Sequence, residues 1–211
     1  VNELVVIGGG GFGRETLDVI DAINAVVPTF SVIGVVDDDL APIARDRLDA
    51  RRSPYLGTIE EWLRAAAPTP YVIAVGSPGA RRAISDRLAR LEVQPATLIH
   101  PAASIGSQAS FAGGTIVCAG AQVSTNVRFG RHVHVNPSAT IGHDAVLHDF
   151  VSINPGAIIS GEAELEEGTL IGAGAVILQG LKVGRNATVG AASCVTRSVT
   201  AGSTVKGVPA R

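Results

Sequence analysis

Counted in sixes from Leu98, the chain places an aliphatic residue or Phe at the second position of seventeen consecutive hexads, from Ile99 through Ile105, Phe111 and Val117 to Val195, without an insertion. The sixth positions, among them Ala103, Ala109, Thr115, Ala121, Ala187 and Ser193, are nearly all small, and Gly, Asn, Asp, Ser and Pro collect at the third to fifth. Such a repeat is the signature of a parallel β-helix of hexapeptides, each hexad contributing one short strand and one turn. Three hexads close a triangular coil, so residues eighteen apart stack directly on one another.

The 211 residues are 46% hydrophobic, which excludes a disordered chain, and the net charge of −2 offers no overall attraction to nucleic acid or to an anionic membrane. The longest apolar stretches (Leu4–Ile7, Val32–Val36, Val72–Val75) are strand-sized, so no membrane span or signal peptide is read, and a cytoplasmic protein is expected. Cys118 and Cys194 are far apart and lack a CxxC or His-rich partner pattern, so both are read as reduced.

Ahead of the repeat the pattern changes. Residues 3–8 read as a buried strand entering Gly8-Gly-Gly-Gly-Phe-Gly13, after which 14–25 carry helical spacing. A second strand, 30–36, ends in Asp37-Asp38-Asp39. A helix is expected around 58–66, a strand at 71–75, and a helix over 79–91. Strands alternating with helices imply a small parallel sheet of Rossmann type. The expected organisation is therefore a Rossmann-like domain at 1–92, a joint at 93–97 and a β-helix at 98–211.

Gly8, Gly10 and Gly13 form a G-x-G-x-x-G between a strand and a helix, where backbone N–H groups can face a pyrophosphate at a helix N-terminus. A tight turn alone would ask for the same glycines. Asp37 and Asp38 at the end of the next strand are placed to accept hydrogen bonds from a ribose or a base edge. Gly11 and Phe12 in the loop, with Gly76 and Ser77 after a further strand, would line the same crevice; Arg81 would supply charge there or sit solvated on its helix.

His143 and Asp144 take positions four and five of the hexad Thr140-Ile-Gly-His-Asp-Ala145, in the turn and outside the aliphatic core. A carboxylate beside an imidazole fixes one tautomer, as a general base requires. Gly161, eighteen residues on, leaves a backbone N–H over the ring as a donor to an oxyanion. The competing reading is a surface histidine beside an incidental acid. His134 and Ser152 stack at first positions, Asn136 and Asn154 at third positions; the asparagines are read as a structural ladder, and His132 and His100 as turn or surface residues. From Gly168 to Arg211 there are five basic residues and no acidic one, directly after four glutamates between Glu162 and Glu167. That stretch suits a polyanionic ligand or a merely solvated basic end.

Gly-Gly-Gly-Gly-Phe-Gly-Arg-Glu at 8–15, the Asp-Asp pair, Ile-Gly-His-Asp at 141–144, Asp-Phe-Val-Ser-Ile-Asn-Pro-Gly-Ala at 149–157 and the closing Lys-Gly-Val-Pro-Ala-Arg together resemble the sialic-acid-type sugar acyltransferases. Within them the likeness is to bacterial N-acetyltransferases of nucleotide-linked 4-amino sugars. The resemblance implies a left-handed β-helix, an exception to the usual crossover hand, and a homotrimer with active sites between subunits. It also implies an N-terminal domain that holds the nucleotide-activated amino sugar. Acetyl-CoA would run along the coils, past His134, Ser152, Gly161, Gly172, Ala173, Gly174, Ala191 and Lys206. His143 takes the place of the family's base, Asp144 of its orienting acid and Gly161 of the oxyanion amide. Ser152 stands where many relatives have a second histidine.

The resulting expectation is an acetyl-CoA-dependent sugar N-acetyltransferase serving surface-glycan synthesis. O-acetylation of a sugar such as sialic acid would use the same base. γ-Type carbonic anhydrases share the β-helix, and His143 and His148 have the spacing of two of their zinc ligands. The third position is Ser107, however, so no metal site is expected. A non-catalytic nucleotide-sugar-binding trimer is the remaining alternative.

Overall fold

The apolar run near the N-terminus forms a strand covered on both faces, as its unbroken hydrophobicity requires. In a computed structural model, which describes residues 1–65, 69–91 and 93–211, strand β1 (Asn2–Ile7) buries Leu4, Val5, Val6 and Ile7 almost completely. With β2 (Phe30–Val36) and β3 (Tyr71–Ile73) it makes a three-stranded parallel sheet in the order β2-β1-β3. Helix α1 (Gly11–Val26) joins β1 to β2, α2 (Pro42–Ala50) and α3 (Ile59–Ala65) precede β3, and α4 (Pro78–Leu88) follows it. Neighbours on both sides of β1 create a topological switch point at its carboxyl end. The expected helix end at Ala66 and the domain end at Glu92 lie outside the described residues.

Two local differences from the sequence reading have physical causes. Helix α1 starts at Gly11, so Gly11 and Gly13 belong to the helix; Gly13 lets it sit against Gly8, whose backbone carbonyl a Cβ there would strike. Helix α2, not expected, begins with Pro42 and buries Ala44 and Leu48 one turn apart. Before α3, Thr58 and Glu61 form a capping box: the Thr58 N–H donates to Glu61 Oε2 at 2.7 Å and the Glu61 N–H to Thr58 Oγ1 at 3.2 Å.

From Leu98 a two-residue strand recurs every sixth position to Cys194–Val195. These strands form three parallel walls of seven, six and five strands, the first wall including a closing strand at Thr204–Val205. The register is eighteen residues, His134 opposite Ser152 and Thr140 opposite Ile158, until it shortens to sixteen where Thr188 meets Thr204. Second- and sixth-position side chains fill the axis from Val117 to Val195. Burying each Val, Leu or Ile there stabilises by about 1.5–3 kcal/mol. Phe111 and Phe129, eighteen apart, stack with ring centroids 4.6 Å apart. From Gln108 to Ala192 each hexad turns through a left-handed residue at its fifth position, among them Asn126, Asp144, Glu162, Gly174 and Asn186, which explains why Asn, Asp and Gly gather there. The fold is an N-terminal α/β unit of Rossmann type followed by a left-handed parallel β-helix. The chain divides into compact units at Val1–Leu98 and Ile99–Arg211.

Candidate active site

At the switch point of the N-terminal unit lies a cleft of about 310 Å³. Gly8 from the end of β1, Gly10, Gly11 and Phe12 at the start of α1, Asp37, Asp38 and Asp39 beyond β2, and Gly76 beyond β3 all line it. The glycines divide into two kinds. A Cβ at Gly8 (φ +112°) would meet the Ala74 carbonyl oxygen at 2.7 Å, and Gly13 is equally confined. Gly10, Gly11 and Gly76 would meet nothing within 4 Å, so their missing side chains leave room in the cleft itself. Helix α1 has no side-chain N-cap and no acidic residue in its first turn, which leaves its positive end open to an anion.

Asp37 serves partly as a tie: its oxygens accept from the Gly9 N–H at 2.7 Å and the Asp39 N–H at 2.9 Å. Asp38 accepts from the Ile59 N–H at 2.9 Å and pairs with Arg87. Burial raises the Asp38 pKa, but the hydrogen bonds from Arg87 and Ile59 and the Arg87 charge outweigh it and hold the carboxyl below its ordinary value.

Arg81 is not where it was expected. It is 0% exposed, neither solvated nor in the cleft, and it donates through Nη1 to the carbonyls of Val75 (2.8 Å) and Gly76 (3.2 Å). Burial pulls its pKa down to about 9, which leaves it cationic at neutral pH. It shapes the rim of the cleft from behind. Ser77 also lies outside the lining and caps α4, its Oγ accepting from the Ala80 N–H at 3.4 Å.

On the β-helix, His143 and Asp144 sit in the turn between the second and third walls, with His143 Nδ1 2.7 Å from Asp144 Oδ2. Donation from Nδ1–H leaves the lone pair on Nε2, the tautomer a base needs. Asp144 is held below its ordinary pKa by hydrogen bonds from His143 and Asn126, then by the charges of His143 and Arg128. Gly161 faces the other side of the ring: a Cβ on it would lie 2.5 Å from His143 Nε2. Among the described residues the Gly161 N–H meets no acceptor.

The expected cofactor residues do not gather around His143 within one chain. Only Gly161 shares its edge. Gly172, Ala173, Gly174 and Ala191 lie at the turn between the first and second walls, and His134 and Ser152 lie in the first wall. His134 and Ser152 pair in register as expected, but each is only 1% exposed, so neither presents its side chain as an outward ligand contact. His132 is likewise no surface residue; it is buried and stacks on Phe150 at 5.4 Å. Lys206 is exposed, in the closing loop.

The basic end also changes meaning. Lys182 lies one coil above Glu164 and pairs with it (3.6 Å) and with Glu166 (2.7 Å), and Arg185 lies 3.4 Å from Glu167. The reversal of charge along the sequence is thus partly a set of rungs between coils, leaving Arg197, Lys206 and Arg211 without an ion pair among the described residues. His148 pairs with Glu164 at 3.0 Å rather than converging with His143. Among the described residues no group of three or more His, Cys, Asp or Glu side chains is arranged to hold a metal. The sequence reading missed Asn126 and Arg128, which line a groove of about 510 Å³ beside Asp144; the eighteen-residue register would have placed Asn126 beneath that acid.

Fold and repeat together define a hexapeptide-repeat β-helix protein carrying an N-terminal α/β unit. The family model of the PglD N-terminal domain matches residues 3–88. The acetyltransferase domain of PglB from Neisseria gonorrhoeae FA1090, solved in complex with acetyl coenzyme A, is 32% identical with a TM-score of 0.85, covering 100% of this chain and 99% of that one. GDP-perosamine N-acetyltransferase of Escherichia coli O157:H7 is 30% identical over 152 residues, 69% of this chain and 64% of that protein. The chain thus spans a little under two thirds of that curated relative. PerB from Caulobacter crescentus, solved with CoA and GDP-perosamine, is 23% identical with a TM-score of 0.88, covering 100% of this chain and 97% of that one; it shares the fold. The chain belongs to the PglD-like family of hexapeptide-repeat acetyltransferases.

Proposed function

We propose that the chain transfers the acetyl group of acetyl-CoA to the primary amine of a nucleotide-linked amino-deoxy sugar, a step in surface-glycan synthesis. The observation that carries this reading is His143 held through Nδ1 by Asp144 at 2.7 Å, with Gly161 so close against the ring that a Cβ on it would lie 2.5 Å from Nε2. The neutral amine attacks the thioester carbonyl carbon while Nε2 of His143 takes its proton. The oxyanion accepts a hydrogen bond from the Gly161 N–H, and collapse of the tetrahedral intermediate breaks the C–S bond and expels the CoA thiolate, which takes the proton back from His143 Nε2. No metal and no acyl-enzyme are required, since proximity of two bound substrates supplies much of the rate.

The sugar nucleotide belongs in the N-terminal cleft, its pyrophosphate at the open end of α1 and its nucleoside against Asp37 and Asp38. Acetyl-CoA belongs along the coils, with Gly172, Ala173, Gly174 and Ala191 at one edge and Lys206 near its phosphates. A single β-helix displays that edge and the His143 edge on different corners of the prism, so a site using both takes residues from two copies. That supports a homotrimer. Among the described residues no helix is long and apolar enough to cross a membrane, and both proposed substrates are soluble metabolites, which supports a cytoplasmic location.

The test is a panel of nucleotide-linked amino sugars and their hydroxyl counterparts, each incubated with acetyl-CoA. Acetylation of an amine is expected. Acetylation of the hydroxyl compounds alone would make the chain an O-acetyltransferase, and binding of sugar nucleotide without turnover of any member would make it a binding protein.

A further inference from the structure

We infer that Asn126 is a positioning residue for the proposed base, acting on His143 through Asp144; the inference rests on the reading of His143 given above. One carboxylate oxygen of Asp144, Oδ2, faces His143 Nδ1 at 2.7 Å. The other, Oδ1, accepts a hydrogen bond from Asn126 Nδ2 at 3.0 Å. Asn126 and Asp144 are eighteen residues apart, at the fifth position of consecutive coils, and both have left-handed backbones, φ 59° and 60°. Their turns are tied to further coils: the Asn126 N–H donates to the Ser107 carbonyl and the Asp144 N–H to the Thr125 carbonyl, each at 3.0 Å. The β-helix register therefore presents the amide to the carboxylate without help from a mobile loop.

The pair needs such an anchor. The His143 and Asp144 side chains are 57% and 46% exposed, and a polar contact that open to water is weak and leaves the carboxylate free to turn. A second hydrogen bond to the opposite oxygen fixes the carboxylate plane, and through it the imidazole. Since a carboxylate only accepts, the partner must be a donor, which assigns the Nδ2 side of the Asn126 amide to Asp144. A left-handed turn alone does not require a donor: Glu162, one coil beyond Asp144, and Ala192 hold φ of 60° and 55° at the same hexad position with no side-chain donor.

Two variants separate the hydrogen bond from the turn. Asn126→Gly keeps the left-handed backbone and removes the amide. Asn126→Asp keeps shape and backbone tolerance but turns the donor into an acceptor facing Asp144. In steady-state assays with acetyl-CoA and the amino-sugar nucleotide, Asn126→Gly is expected to lower kcat about 5–20-fold with both KM values within about twofold of wild type, and Asn126→Asp to lower it further. In an Asp144→Asn background, Asn126→Gly is expected to cost less than about twofold more, because the relay is already broken. Wild-type kcat in both Asn126 variants, or the same fold loss with and without Asp144, overturns the positioning role. His143→Ala assayed alongside distinguishes the two levels. If it is inactive while both Asn126 variants are fully active, only the role of Asn126 fails; if it retains most turnover, the base assignment fails and the relay with it.

Discussion

Gly161 lies one coil beyond His143, and a Cβ at Gly161 would stand 2.5 Å from the imidazole Nε2 and 2.6 Å from Cε1. The smallest side chain would therefore press on the proposed base. The clash is with the far end of an exposed side chain, which can swing away, so Gly161→Ala should fold with a melting temperature close to wild type. Its kcat should fall about 10–100-fold, since a base displaced by an ångström loses its geometry. Paired kcat and thermal-melt measurements check this; an active alanine variant would mean that the ring need not sit where it does.

The two kinds of glycine in the N-terminal loop predict opposite failures. Gly10→Val adds atoms to open space and should leave stability nearly unchanged, while raising the KM of the sugar nucleotide and not that of acetyl-CoA. Gly13→Ala drives a methyl into the Gly8 carbonyl and should destabilise by about 1–3 kcal/mol or more. Denaturant melts with the two Michaelis constants separate the cases. A change confined to the acetyl-CoA constant in Gly10→Val would place the ligands in the wrong units.

How far the sequence could be read depends on how local each cause was. The hexad repeat specifies every strand from Leu98 to Val195 because each six residues solve the same packing problem. It even places Gly161 over His143. Where the repeat shortens, at Thr204, the period has no further say. Exposure was less legible: His134, Ser152 and Arg81 look polar in sequence, yet each is almost wholly buried. Polarity states that such a group needs partners, not that the partners are water or a ligand. Helix α2 lacked a strong apolar stripe, whereas the Thr58–Glu61 box was a readable signal left unused.

Because His134 and Ser152 are buried side by side in register, Ser152→His should not restore a missing catalytic histidine. It should overpack the first wall and lower stability by about 1–3 kcal/mol. His134→Ala should also destabilise, by vacating a filled site. Urea unfolding measures both; an unchanged midpoint in each would show that these positions face solvent after all.

The Asp38–Arg87 pair gives a pH dependence with a definite sign. The Asp38 carboxyl in the fold is held below its ordinary value of 3.8. Its contribution to stability is fully present above that value and is lost as pH falls through the lower, folded one. Relative to wild type, Arg87→Met should therefore be destabilised at neutral pH, and the gap should close on acidification through the carboxyl range. A gap that stays constant with pH would remove Asp38 from the account.

The most direct test of acetyl transfer through His143 is a single turnover experiment, following CoA thiol release and the N-acetylated sugar nucleotide together in wild type and His143→Ala. Wild type should release one thiol for each amide formed, and His143→Ala should be slower by about 10²–10⁴-fold at unchanged substrate affinity. Amide formation in the variant at more than half the wild-type rate, or thiol release without amide in the wild type, would contradict the account.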